Sequence, residues 1–86
     1  MSAVMAVRVT VLEAWDDITL DLAAATTLAE VKRQALAAMR IVEDPTEYLM
    51  KFRGAELPDE SRTLGEVAFP AGGALIVLRR RRRAVR

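Results

Sequence analysis

The sequence predicts an α+β domain: a mixed sheet of four to five strands with one main helix packed across it. Three observations predict this. Two early segments, 7–12 and 18–22, alternate apolar and polar residues with period two, the repeat of a half-buried strand. One stretch, from Leu28 to about Met39, has helical spacing and a start signal. Two more strand-like segments, 48–53 and 75–78, follow it with turn-forming residues between them.

Taken in order, Val7, Val9 and Val11 alternate with Arg8, Thr10 and Leu12, and the β-branched valines favour extended backbone. Glu13 to Asp17 reads as a turn, because the adjacent Asp16 and Asp17 favour turn geometry. Ile18, Leu20 and Leu22 then alternate with Thr19 and Asp21, so the first two strands form a hairpin. Thr27-Leu28-Ala29-Glu30 has the capping-box pattern, in which Thr27 accepts from the Glu30 N–H and the Glu30 carboxylate reaches back to the Thr27 N–H. Strong helix formers follow, with no Gly or Pro before Met39. Leu28, Val31, Ala35 and Met39 share one face, and Lys32 lies at its edge, an odd place for a charge. The helix ends before Pro45.

Tyr48, Met50 and Phe52 alternate with Leu49, Lys51 and Arg53 as a third strand, and Gly54 turns the chain. Leu57 reads as a minor strand and Pro58 to Ser61 as a polar loop. Thr63 caps a short turn carrying Leu64, Val67 and Phe69 as core plugs. Pro70-Ala71-Gly72-Gly73 is a tight connection into the last strand, Leu75 to Leu78. The helix face should meet Val9, Val11, Ile18, Leu20, Leu22, Met50, Phe52, Leu64, Phe69 and Ile76 in the core.

Composition narrows the function. With 86 residues there is room for one small domain, 1–80, followed by a basic tail, 81–86. Cysteine is absent, which excludes disulfides, thiolate chemistry and Cys-based zinc sites. Histidine is absent too, which removes the commonest general base and the serine and cysteine triads. The acid pairs Asp16/Asp17, Glu43/Asp44 and Asp59/Glu60 read as solvated loop residues, not as two carboxylates facing across a cleft. The expectation is no enzyme activity, no cofactor and no metal. No apolar run approaches the ~18 residues of a membrane span. Residues 1–7 lack the basic region of a signal peptide, so a cytoplasmic location is expected. The net charge of +1 hides an asymmetry: residues 1–78 hold 7 basic and 12 acidic groups, a net of −5, whereas 79–86 hold 6 basic groups and no acid.

The order of these pieces resembles ubiquitin and the β-grasp family over nearly all of residues 7–80. Ile18-Thr19-Leu20-Asp21-Leu22 is similar to its second strand, and Thr27-Leu28-Ala29-Glu30-Val31-Lys32 to its capped helix start. Phe52-Arg53-Gly54-Ala55-Glu56-Leu57 is similar to its third strand and following turn. Arg62-Thr63-Leu64 through Phe69, then Ile76-Val77-Leu78-Arg79, are similar to its late short helix and final strand. The resemblance implies that Lys32 is mostly buried and paired with an acid in the loop after the third strand, here Asp59 or Glu60. The alternative is a lysine whose stem is covered and whose head reaches solvent.

Two departures from the family shape the functional reading. Modifiers and sulfur carriers of this fold end in Gly-Gly, whereas the matching positions here hold Arg82 and Arg83. The only adjacent glycines are Gly72 and Gly73, and cleavage there would delete the last strand. Ubiquitin is read through an apolar patch whose strand positions correspond here to Lys51 and Val77, beside Leu49, with Ala14 or Trp15 at the hairpin position. Trp15 is the anchor candidate, because Trp is enriched at interface hot spots. Its plainer reading is a side chain folded over its own hairpin. The arginines Arg79, Arg80, Arg81, Arg82 and Arg83 have three physical uses. They can neutralise nucleic-acid phosphates, meet an anionic membrane surface, or dock on an acidic protein surface. The acidic body and the lack of aromatics beside them argue against specific nucleic-acid recognition.

The leading expectation is a non-conjugating protein-interaction module, an adaptor or subunit of a larger bacterial assembly, acting as a monomer or weak homo-oligomer. The resemblance permits a setting linked to type VII secretion or to ubiquitination-like genes. Arg and Ala outnumbering Lys point to a bacterial source. A nucleic-acid accessory protein working through its tail and an unusually processed modifier are the alternatives.

Overall fold

A computed structural model gives the fold and describes residues 4–80. Strand β1 (Val4–Val11) turns through a 3-10 segment, Leu12–Ala14, into β2 (Asp16–Ala23). Helix α1 (Leu28–Ala38) follows. A second 3-10 turn, Pro45–Glu47, leads into β3 (Tyr48–Phe52), then β4 (Ala55–Glu56) and β5 (Ala74–Arg79). The sheet is five-stranded with the order β2-β1-β5-β3-β4. It is mixed: β1 runs parallel to β5, and every other neighbouring pair is antiparallel.

The register decides which side chains meet the helix. Val9 pairs with Ile18 and Leu75, and Val11 pairs with Val77, which pairs in turn with Met50. Directly paired residues share a face. Val7, Val9, Val11, Tyr48, Met50, Leu75 and Val77 therefore form one buried layer against Leu28, Val31, Ala35 and Leu36 of α1, closed by Leu64 and Phe69. Ile18, Leu20, Met39 and Phe52 pack at its margin, half-buried.

Local chemistry holds the helix in place. Thr27 accepts from the Glu30 N–H at 3.2 Å, as expected of an N-cap. The Glu30 carboxylate does not reach back to Thr27; it bonds Arg33 and Gln34 instead, one turn on. The N–H groups of Leu28 and Ala29 donate to the carbonyls of Arg62 and Glu60, so the following loop satisfies donors that a helix start leaves orphaned. At the far end Arg40 takes a left-handed conformation (φ 59°). Ile41 N–H donates to Leu36 C=O and Arg40 N–H to Ala37 C=O, a Schellman closure. Thr63 and Glu66 form the reciprocal capping box that Thr27 and Glu30 do not complete.

Three expectations are corrected. Ile76 lies outside the core and is 36% exposed, while its neighbours Leu75 and Val77 are fully buried. Strand β1 begins at Val4, not Val7, because Val4 to Ala6 pair with Asp21 to Ala23. The minor strand is Ala55–Glu56, and Leu57 follows it, donating its N–H to Met50 C=O.

Candidate interaction surface

The face of the sheet turned away from α1 carries the candidate site. One row of directly paired residues crosses four strands and reaches the fifth: Asp17 on β2, Thr10 on β1, Ile76 on β5, Lys51 on β3 and Glu56 on β4. The next row toward the hairpin tip joins Leu78 to Leu49, and the row on the other side joins Thr19, Arg8 and Ala74. The face thus has an apolar centre of Leu49, Ile76 and Leu78, cations at Arg8 and Lys51, and acids at both edges. Thr10, Leu12, Trp15, Asp16 and Asp17 line a shallow recess at the tip. Thr10 and Asp17 are paired on this face, so the recess opens beside the apolar centre.

Trp15 is 90% exposed and does not fold over its hairpin. Its backbone is left-handed, φ 55°, where it ends the 3-10 turn by donating its N–H to Leu12 C=O. That conformation suits glycine and is costly for a bulky side chain.

The other expected site residues separate. Leu49 and Lys51 are half-buried on the outer face. Val77 is fully buried, so it belongs to the core and not to the patch; Ile76 and Leu78 are the outward residues of β5. A one-residue shift along a strand exchanges its faces, and this is the physical reason for the correction. Arg79 and Arg80 are exposed but engaged. The Arg79 guanidinium lies 5.8 Å from the Tyr48 ring centroid, and the Arg79 backbone N–H donates to the Glu13 carboxylate at 3.2 Å. Arg80 donates from its backbone to Glu47 C=O and from Nε to Thr46 C=O. The expected roles of Arg81, Arg82 and Arg83 lie outside the described residues.

On the opposite side, Lys32 is 3% exposed and pairs with Glu60, not Asp59. Asp59 instead bonds the Ser61 hydroxyl and N–H, which hold its carboxyl below the usual range. Asp44 is lowered likewise by the backbone and hydroxyl of Thr46. Hydrogen bonds from Arg33 and then Gln34 lower Glu30 to about 2. Burial pushes the Tyr48 phenol above its ordinary value. These groups belong to caps, turns and core. Among the described residues no three His, Cys, Asp or Glu side chains converge as metal ligands, and no helix is long and apolar enough to cross a membrane.

No protein-family model and no curated protein matches the chain. Solved structures do. The ubiquitin of Caldiarchaeum subterraneum superposes with a TM-score of 0.79 at 16% identity, covering 95% of this chain and 100% of that one. The ubiquitin-like domain of an Arabidopsis thaliana protein gives 0.72 at 21% identity, covering 98% and 86%. The N-terminal ubiquitin-like domain of a third protein gives 0.75 at 17% identity, covering 100% and 84%. Register, helix placement and these likenesses agree that the chain has the ubiquitin-like β-grasp fold.

Proposed function

We propose that this protein is a non-conjugating ubiquitin-like interaction module that binds another protein through the outer face of its sheet and acts by binding, not by catalysis. The observation that carries the reading is the apolar centre of the outer face, exposed Ile76 with half-buried Leu49 and Leu78, set between Lys51 and Arg8 and bordered by the projecting Trp15. Two cations beside apolar side chains fit a partner with apolar anchors and acidic groups placed to meet them. Against conjugation, the chain's one Gly-Gly lies at residues 72–73, directly before β5, which sits between β1 and β3. Processing there would remove a central strand. An adaptor or subunit role in a bacterial assembly is in keeping with such a module.

The test is co-isolation with wild type, Ile76→Asp and Lys51→Glu, with circular dichroism to show that each variant folds. Partners of the wild type should be lost from both variants. Retention of every partner would sink the reading, as would a branched adduct in the intact mass of the native protein.

A further inference from the structure

We infer that the outer sheet face is self-complementary and that two copies pair face to face about a two-fold axis. This rests on the proposed reading of that face as an interaction surface and names a second copy as an occupant. The argument is geometric. Asp17, Thr10, Ile76 and Lys51 stand in one row on four successive strands. Place a two-fold axis in the interface, parallel to the strands, between β1 and β5. The operation sends β2 of one copy opposite β3 of the other, and β1 opposite β5. Asp17 then faces Lys51 of the second copy, and Thr10 faces its Ile76. Both contacts occur twice, as an isologous interface requires.

The shape agrees with the charge. The recess lined by Thr10, Leu12, Trp15 and Asp17 lies on the β1–β2 side of the hairpin end. The apolar strip of exposed Ile76 and half-buried Leu78 and Leu49 lies on the β5–β3 side of the same end. The two-fold axis brings this strip onto the recess reciprocally and covers Trp15, which is 90% exposed in a single copy. Among the described residues, neither the Asp17 carboxylate nor the Lys51 ammonium has an ion-pair partner in its own copy; Glu56, across from Lys51, lies 3.9 Å from Arg80 instead. Strands spaced ~4.8 Å apart give this face a width and height of roughly 20 Å, on the order of 400 Å² projected per copy. That is below the ~800 Å² per partner of a standard interface, so the dimer is weak and forms at high protein concentration. Any outside partner on this face must displace it.

The experiment is a concentration series up to about millimolar protein, the range where an interface this small associates. It is read by sedimentation equilibrium, by amide shifts and by the emission of the single tryptophan. Wild type should dimerise, with shifts at Thr10, Trp15, Leu49, Ile76 and Leu78 and a blue-shifted Trp15. Asp17→Lys and Lys51→Glu should each weaken the dimer about 10-fold or more. Mixing the two variants should restore it, because a two-fold exchange reunites opposite charges at both contacts. Wild type that stays monomeric, a mixture that does not recover, or shifts confined to α1 would each overturn the inference. If wild type stays monomeric while Lys51→Glu still loses its partners, the dimer falls and the interaction-module reading stands. If the same variant keeps its partners, both fall.

Discussion

Lys32 and Glu60 form an ion pair of 2.7 Å across the seam between helix α1 and the loop that follows the short strand β4. Lys32 Nζ also donates to Tyr48 C=O at 2.8 Å, so one buried ammonium ties the helix to the start of β3 and to that loop. The two partners differ in exposure, 3% for the lysine and 18% for the glutamate. The cost of breaking the pair should therefore be unequal.

Glu60→Ala leaves a buried cation with only a carbonyl, and should cost about 3 kcal/mol. Lys32→Met fills the same space and leaves a carboxylate that water can reach, so it should cost about 1 kcal/mol. Urea denaturation of both variants and of the double variant measures this. Equal losses for the two single changes would contradict the asymmetry.

The register of β5 predicts a sharp contrast between neighbours. Leu75→Ala empties a fully buried site and should destabilise by about 3 kcal/mol. Ile76→Ala, on the open face, should cost less than about 1 kcal/mol. Chemical denaturation midpoints with a shared slope decide between this register and its one-residue alternative.

Left-handed backbone at non-glycine positions gives a third prediction. Arg40→Gly and Trp15→Gly should each raise stability by about 0.5–1 kcal/mol, since glycine occupies φ near +55° without a Cβ clash. Arg40→Gly should leave self-association unchanged, whereas Trp15→Gly should reduce it. Thermal denaturation beside sedimentation separates the two effects.

Glu30 should titrate near 2, and Arg33→Ala should return it toward 4.5, because the Arg33 hydrogen bond is the main cause of the shift. A carboxyl lowered by folding adds stability that is fully present above its unfolded value. That contribution is lost as the pH falls from about 4.5 toward 2. Carboxyl carbon shifts followed by NMR across this window test it directly.

Much of the fold was legible because local signals agreed. Thr27 marked the helix start and the alternating valines marked β1, while the acid partner of Lys32 came from the resemblance to ubiquitin, which left Asp59 and Glu60 open. The face of β5 was not legible. Leu75, Ile76, Val77 and Leu78 are all apolar, so no alternation tells inside from outside; only pairing with Val9, Val11 and Met50 does. Val4 to Ala6 fell outside the expected strand because all three are apolar and show no alternation, so only their pairing with Asp21 to Ala23 marks them as strand. The direction of Trp15 depends on turn geometry, which composition does not encode. The acid, apolar, base row across the outer face appears only once four strands are aligned, although each of its members is visible in the sequence.

The strand made last among the described residues is also the middle one. Until Ala74 to Arg79 emerge from the ribosome, the β1–β2 hairpin and the β3–β4 ribbon have no common neighbour, and α1 has only half a surface to lie on. This domain therefore acquires its tertiary structure only once its middle strand is available, and until then the nascent chain carries two unjoined half-sheets that any holding factor could grasp.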